Sequence, residues 1–224
     1  MPEQILSEFA GAESTLTYKI DGNDFLFYGV YVSASGGMQD VPSLKEPQTV
    51  NWPGSHGTVV DLAAPRYNNR EIELDCFIKA AGKLDFFNKV RAFLQAFQKP
   101  GLRRLELWIA TKPLVYLVYL SEGVNIEKQW HEDEMFGTFT LKLIDPHPVK
   151  RLLKVVGSAV SIQFTSANPI SIFWGDGSVK HDLLDDAVVT YNYASAGTYY
   201  PVVCGVIEEI EDFVHNAEVL WSKY

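Results

Sequence analysis

Apolar residues recur with the spacing of an amphipathic helix over residues 83–99. Asp85 lies in the first predicted turn, where a negative charge interacts favourably with the helix dipole, and Pro100-Gly101 ends the segment. The polar face mixes both signs of charge, so we expect the helix to pack on a sheet and not on a membrane surface. Five apolar side chains share the predicted buried face, namely Leu84, Phe87, Val90, Leu94 and Phe97, and Phe86 and Phe93 widen this apolar stripe.

Strict alternation of apolar and polar residues predicts two half-buried strands. One covers residues 70–78 and the other covers residues 138–143. Near the start of the chain, residues 15–20 and 25–32 flank the turn sequence Asp21-Gly22-Asn23-Asp24. Two apolar runs on either side of such a turn predict a β-hairpin.

Two further segments, residues 105–109 and 114–120, are apolar on both faces and are joined by Lys112-Pro113. They predict a hairpin that lies either in the interior or at a subunit contact. Residues 33–64 are rich in Gly and Pro and show little periodicity. Because a long irregular stretch inside a compact domain is more often functional than idle, we interpret it as a functional or interface loop.

The sequence Asp-Pro-His-Pro at residues 145–148 marks a break, since its two prolines enforce an extended path. Beyond it we expect short strands separated by turns, at residues 160–164, 170–174, 187–193 and 199–207. We therefore predict two domains, residues 1–148 and 149–224, in which the last residues, 208–224, add a short helical or strand cap. The predicted fold class is mainly β with one principal α-helix.

Composition supports a strand-rich chain and restricts its partners. Aromatic residues make up 13% of the 224 residues, which favours sheet. The formal net charge is −9, from 19 Lys plus Arg against 28 Asp plus Glu, so we expect no sequence-specific nucleic-acid binding. Divided after residue 148, the first part has 14 basic against 19 acidic residues and the second has 5 against 9. Neither part is a basic module.

The two cysteines, Cys76 and Cys204, are too few for a disulfide framework, and we expect both to be buried thiols. The acidic N-terminus lacks the basic start and apolar run of a secretory signal, which predicts synthesis in the bacterial cytoplasm. Residues 155–175 and 187–207 are uncharged over 21 positions each. Their many polar residues and prolines indicate strands and turns, so we expect no membrane insertion.

No catalytic signature is present, and we predict neither catalytic residues nor a cofactor nor a metal, which argues against a hydrolase. Ser55 and His56 are neighbours whose side chains point apart, unlike the distant residues of a catalytic triad. The acidic sequence at residues 131–134 is interpreted as a solvated loop, because no second cluster completes a metal shell. Asp176 with the group Asp182, Asp185 and Asp186 lacks the spacing of an EF-hand loop.

Trp174-Gly175-Asp176-Gly177 is the most specific string in the second half. It predicts a β-turn in which Gly177 has positive φ, Asp176 caps nearby N–H groups and Trp174 packs inward. Together with Tyr191-Asn192-Tyr193 and Gly197-Thr198-Tyr199, it resembles the PKD (polycystic kidney disease) repeat over residues 155–207. The strand before the turn lacks the usual Asp-Phe insertion. The resemblance implies an immunoglobulin-like β-sandwich in which this turn is the fold signature.

The first half is similar to the N-terminal domain of distal tail proteins of long-tailed phages, over most of residues 14–148. The family order is a glycine-containing loop, an Arg-Tyr-x-x-Arg strand entry, a helix, a β-hairpin and a closing strand that ends at Asp-Pro. The chain presents these features in that order, with His56 in place of the charged residue often found in the loop. They are the loop at residues 51–57, Arg66-Tyr67-Asn68-Asn69-Arg70, the helix at residues 83–99, the hairpin at residues 105–120, and Ile144-Asp145-Pro146.

This resemblance implies a structural, non-enzymatic α+β domain that forms a hexameric ring between the tail tube and the tip of a phage or prophage particle. The expected partners are further copies of the chain, the tail tube protein, and tail-tip hub or receptor-binding proteins. An acidic ring would let DNA pass without gripping it. The candidate ring-interface residues are Trp52, Pro53, Gly54, His56 and Gly57.

The second domain is expected at the periphery of the ring, where it would contact other tip proteins, bind a host surface glycan or add bulk. An alternative remains open at this point. A cell-surface carbohydrate-binding or adhesion protein would use the PKD-like domain as its main binding site, but such a protein should carry a secretion signal.

Overall fold

The computed structural model describes residues 16–130 and 134–223. The acidic N-terminus, the first residue of the predicted strand at 15–20, and residues 131–133 of the predicted solvated loop lie outside the described residues.

The first half forms antiparallel strands around one helix, α1, at Lys83–Phe97. The sheet order is β2-β1-β7-β8-β10-β6-β3, and β9 pairs with β10 at one edge. A separate two-stranded ladder joins β4 to β5. The strands are β1 (Thr17–Ile20), β2 (Asn23–Asp24), β3 (Val30–Gly36), β4 (Thr49–Val50), β5 (Val59–Val60), β6 (Arg70–Ala80), β7 (Arg103–Ile109), β8 (Lys112–Leu120), β9 (Glu127–Trp130) and β10 (Met135–Asp145).

Alternation along β6 and β10 builds the main core, as the sequence predicted. The two strands pair along their whole length, from Arg70 opposite Asp145 to Ala80 opposite Met135. One face of β6 is buried and the other is exposed. Buried residues of β1, β3, β6, β7, β8, β10 and α1 belong to a single cluster, so the sheet wraps around one core. The predicted fold class, mainly β with one principal helix, is confirmed.

The face that α1 buries is rotated from the centre of the predicted stripe. Phe97 is buried as predicted, and so are Phe86 and Phe93 at the edge of the stripe, but Leu84 and Phe87 are 76% and 58% exposed. Gly137 of β10 explains the rotation, because an added Cβ there would lie 2.8 Å from the tip of the Phe86 ring. The missing side chain leaves room for a large aromatic ring, and burying aromatic rings removes more apolar area from water than burying the predicted leucine.

The second half contains two long strands that bend, with shorter strands beside them. They are β11 (Lys150–Phe173), β12 (Val179–Tyr199), β13 (Val202–Gly205), β14 (Glu211–His215) and β15 (Glu218–Ser222). β13 lies between the two ends of β11, since Leu152 and Phe173 both pair with Val202. The closing segment predicted at residues 208–224 is therefore a pair of strands, and both pair with β11.

The prediction of two separate strands at residues 160–164 and 170–174 is wrong about the turn between them, because β11 runs continuously through both segments. Register shifts after Gly157 and after Ser166 let the strand bend where a turn was expected. Ser166 stabilises the second bend by donating a 2.8 Å hydrogen bond to the Asn168 carbonyl. A strand that bulges can change direction without leaving the sheet.

The hairpin β7–β8, apolar on both faces, is an interior element. One face of β8 joins the main core, and the other, with Val115 and Leu117, packs against Leu152, Val202 and Cys204 of the second half. Of the two predicted locations, the interior and a subunit contact, the structure supports the interior. The second face of the hairpin is buried within the same chain.

The junction between the two halves contains a buried ion pair. The Lys150 ammonium contacts the Asp145 carboxylate, and neither side chain is exposed. The other Asp145 oxygen accepts a 2.9 Å hydrogen bond from the His147 N–H. Asp145, the first residue of the Asp-Pro-His-Pro sequence, thus holds this sequence in place by accepting the His147 N–H. The same carboxylate forms the ion pair with Lys150, the first residue of β11.

Both cysteines are buried free thiols, as predicted. Burial raises the pKa of Cys76 to about 12, and the neighbouring Asp75 carboxylate adds to the effect. Burial also raises the pKa of the Cys204 thiol. Among the described residues, no helix has the length and apolar character needed to cross a membrane.

Candidate assembly surface

Residues 43–68 form a two-stranded arm that leaves the sheet between β3 and β6. Near its base the Lys45 N–H donates to the Arg66 carbonyl at 2.7 Å and the Asn68 N–H donates to the Ser43 carbonyl at 2.8 Å. Further out, β4 pairs with β5 in antiparallel register. The stretch that lacked periodicity in the sequence is therefore an extended hairpin, and residues 48–65 are almost entirely exposed.

The tip of the arm carries all five candidate interface residues, Trp52, Pro53, Gly54, His56 and Gly57, and all are exposed. The tip is shaped by Ser55, whose N–H and hydroxyl both donate to the Trp52 carbonyl, at 3.1 and 3.2 Å. Gly57 has φ of 72°, which favours glycine. Because its hydroxyl is engaged in the turn, Ser55 is a structural residue here.

Arg70, the first residue of β6, anchors the base of the arm. The residue as a whole is 4% exposed. Nη1 donates to the carbonyls of Gly37, Met38 and Asp40 at 2.8, 3.3 and 2.6 Å. The Tyr116 hydroxyl also donates to the Met38 carbonyl. A buried charge that is surrounded by carbonyl acceptors fixes the path of the chain where the arm begins.

Gly37 is the hinge residue at this base. Its φ is 79°, and an added Cβ would lie 1.8 Å from the Glu71 carbonyl oxygen. Its N–H donates to the Asp40 carboxylate at 2.9 Å. Glycine is required here because of its positive φ and because the backbone of β6 passes too close to leave room for a side chain.

The returning strand of the arm is tied to the second half of the chain. The Arg66 guanidinium pairs with one oxygen of Glu209, and the Asn168 amide donates to the other at 2.6 Å. The hydrogen bond from Arg66 holds the pKa of Glu209 below the usual carboxyl value. Arg66 and Arg70 of the Arg-Tyr-x-x-Arg sequence thus fasten the arm at two places.

The Trp174-Gly175-Asp176-Gly177 string forms the turn that joins β11 to β12. Trp174 is buried and stacks on Tyr191 at 4.5 Å, and Gly175 and Gly177 both have positive φ. Asp176 accepts hydrogen bonds from the Ser178 N–H at 2.9 Å and the Tyr191 hydroxyl at 2.7 Å. Burial opposes ionisation of Asp176, but these hydrogen bonds outweigh it and lower the pKa.

The two groups of candidate residues occupy different parts of the molecule. The turn borders a cleft of about 440 Å³ that is lined by Arg103 and Arg104 of β7 and by no residue of the arm tip. Within the described ranges, no three His, Cys, Asp or Glu residues are placed to hold a metal ion. The residues of the turn form packing contacts and hydrogen bonds within the chain, and those of the arm tip are exposed.

Residues 24–144 match the protein family described as the phage tail protein RIFT-related domain. The match spans more than half of the 224-residue chain. The chain belongs to this family of phage tail proteins. In this phage tail protein the matched stretch contains the arm, α1 and the β7–β8 hairpin, and the strands from β11 onward lie beyond it.

Among solved structures, this phage tail protein is similar to the Dit protein (gp 19.1) of phage SPP1, described as a paradigm of the hub adsorption apparatus in phages that infect Gram-positive bacteria. The identity is 15%, the coverage is 88% of this chain and 98% of that chain, and the TM-score is 0.48. It is also similar to a chain of the phage p2 baseplate in its activated conformation with Sr, at 9% identity, coverage of 93% and 96%, and a TM-score of 0.47. No curated protein sequence matches it.

Sequence reasoning missed the residues that hold the arm in place. Arg66 and Arg70 were recognised as part of a motif, but their partners are carbonyls and a carboxylate far away in the chain. Gly37 had a detectable signal, because a Gly-Gly pair that ends an alternating strand often marks a sharp change of direction. No sequence signal marks the acceptors of Arg70, because they are backbone carbonyls, which are present at every position.

Proposed function

We propose that this phage tail protein is a distal tail protein that assembles as a hexameric ring and links the tail tube to the tip. The observation that carries the proposal is the family match over residues 24–144, which contains the arm. Tail proteins of this kind are structural. The Trp174 turn and the arm tip are suited to contacts within and between proteins. The place of action would be the tail tip of the virion.

The exposed arm supports self-association. Apolar side chains are exposed along both of its strands and at its tip, among them Val50 at 47%, Trp52 at 60% and Val59 at 59%. Clustered exposed apolar groups favour burial against a partner. In a ring, the neighbouring copy would cover them. We assign the contact to the tip residues Trp52 to Gly57.

The second half, residues 149–224, would project from the ring as a PKD-like β-sandwich domain. There it would attach further tip proteins or contact the host surface. Trp174 and Tyr193 are buried, so a glycan would have to stack on other aromatic residues. A glycan array probed with the full chain distinguishes these roles, since binding of any sugar would favour host contact.

Sedimentation velocity and negative-stain microscopy of the purified chain, alone and with its tube protein, test the ring. A chain that stays monomeric at high concentration in both conditions would refute the proposal.

Changing the arm tests the assigned contact. The double variant Trp52→Ser with Val59→Ser should raise the ring dissociation constant about tenfold or more, because a buried tryptophan often dominates an interface. Val188→Ser is the matched control, since Val188 is 66% exposed on β12 of the second half. Equal assembly of the arm variant and the control would contradict the assignment of the arm.

A further inference from the structure

We infer that neighbouring copies of this chain contact each other head to tail, the basic outer face of α1 on one copy packing against the acidic outer face of the β6–β10 sheet on the next. The inference rests on the proposed ring and adds a second contact between neighbouring copies to the one assigned to the arm tip.

The acidic sheet face is the side of β6 and β10 that points away from the main core. Lys79 and Lys142 lie on it, but each already pairs with a carboxylate, Glu134 and Glu122 respectively. Four more carboxylates share this face and have no ion-pair partner among the described residues. They are Glu71, Glu73, Asp75 and Glu127.

This face also carries apolar groups and a hollow that can accept a side chain. Tyr31 stacks on Phe77 at 4.8 Å between ring centres and is 43% exposed. The hollow has a volume of about 760 Å³ and is bordered by Asp75, Phe77 and Thr138. Exposed rings beside a concave acidic surface are unusual on a monomer and favour a partner with protruding apolar and basic groups.

The basic helix face has the complementary character. Asp85 pairs with Lys89 on α1 at 2.9 Å. Four more basic residues lie on α1, just past its C-terminal end, or on the adjoining side of β9, and they have no ion-pair partner among the described residues. They are Lys83, Arg91, Lys99 and Lys128.

The apolar groups of the basic helix face protrude. Leu84 and Phe87 are 76% and 58% exposed, and the Lys128 ammonium lies 5.7 Å from the centre of the Phe87 ring. These are the side chains that the helix periodicity predicted to be buried. Their exposure beside four unpaired cations matches the rings, hollow and four unpaired carboxylates of the acidic sheet face.

The two faces lie on opposite sides of the same part of the sheet. Phe86 and Phe93 attach α1 to the inner side of β6 and β10, and Glu73 and Asp75 project from the outer side. Because each copy offers a different surface on each side, contacts between copies are heterologous. A heterologous contact repeats from copy to copy and closes into a ring when its rotation allows.

The test uses two charge-reversed forms of the full chain. The sheet variant carries Glu71→Lys, Glu73→Lys and Glu127→Lys, and the helix variant carries Lys83→Glu, Arg91→Glu and Lys99→Glu. All six side chains are exposed, so folding should be unchanged, as circular dichroism would verify. Three reversals among the four unpaired charges invert the sign of the altered face. Each variant alone then presents two faces of the same sign, and we expect its ring dissociation constant to rise about tenfold or more at low salt.

An equimolar mixture of the two variants should restore assembly. In an alternating ring, the basic sheet face of one variant meets the acidic helix face of the other, and the remaining contacts keep the native signs. Recovery in the mixture cannot arise from two misfolded proteins. The control, Glu211→Lys with Glu218→Lys, reverses two exposed charges on β14 and β15 and should assemble like the native chain.

The outcomes separate the two proposals. If the native chain forms rings and either variant alone assembles equally well, or if the mixture fails to recover, the assignment of these faces is wrong and the ring remains. If the native chain forms no ring with or without its tube protein, the ring proposal fails and this inference fails with it.

Discussion

Gly37 is the residue whose replacement should most directly disturb the arm. Gly37→Ala forces a side chain into a positive-φ position 1.8 Å from the Glu71 carbonyl oxygen, so β3 and β6 must separate. We expect a loss of about 2 kcal/mol or more in the free energy of unfolding, measured by urea titration. Gly54→Ala at the arm tip meets no atom within 4 Å and is the control. Equal stability of the two variants would contradict this account of the hinge.

His147 in the Asp-Pro-His-Pro junction should make stability depend on pH. Burial lowers the pKa of His147 below 6.5, the Asp145 carboxylate opposing this effect and Lys150 and His181 reinforcing it. The unfolded chain therefore binds a proton more readily than the folded one. Stability from this group is complete above the unfolded pKa and falls as the pH drops below it.

The measurement is the free energy of unfolding between about pH 7.5 and about pH 5.5, where carboxylates contribute little. The native chain should lose stability over this range, and His147→Gln should lose less. A variant with the same slope as the native chain would show that another group is responsible.

At the scale of elements, the helix face gives a matched pair of substitutions. Phe93 is 1% exposed and lies 5.0 Å from the Phe25 ring, whereas Phe87 is 58% exposed. Phe93→Ala should therefore cost about 3–5 kcal/mol in the free energy of unfolding. Phe87→Ala should change it by less than about 0.5 kcal/mol, since it leaves no cavity. A larger loss for Phe87→Ala than for Phe93→Ala would mean that α1 buries Phe87, as the periodicity predicted, and would contradict the structure.

The elements also show how far the sequence could be interpreted without the structure. Alternation located β6 and β10, and the Trp174 turn was recognised from its own residues, because both are local patterns. The rotation of α1 depends on the space above Gly137, and the continuity of β11 depends on bulges that pair with other strands. Neither has a signal within the segment concerned, so periodicity alone could not supply it.

For the whole molecule, the burial of the β7–β8 hairpin restricts which surfaces are open to the proposed self-association. The sequence left both an interior position and a subunit contact open for this hairpin, and β11 and β13 cover Val115 and Leu117 within the chain. The surfaces that remain are the arm, the basic helix face and the acidic sheet face. The arm was recognised as an interface candidate from its composition. The two charged faces required the fold, because their residues come from strands far apart in the sequence.

The mass of the assembled protein tests the central claim most directly. Native mass spectrometry of the purified full chain, with its tube protein present where needed, should show a species of six copies, about 151 kDa for a 25.2 kDa chain. A ring-forming tail-tip protein predicts this species as the dominant closed assembly. A monomer as the sole species across all concentrations, with and without the tube protein, would contradict it.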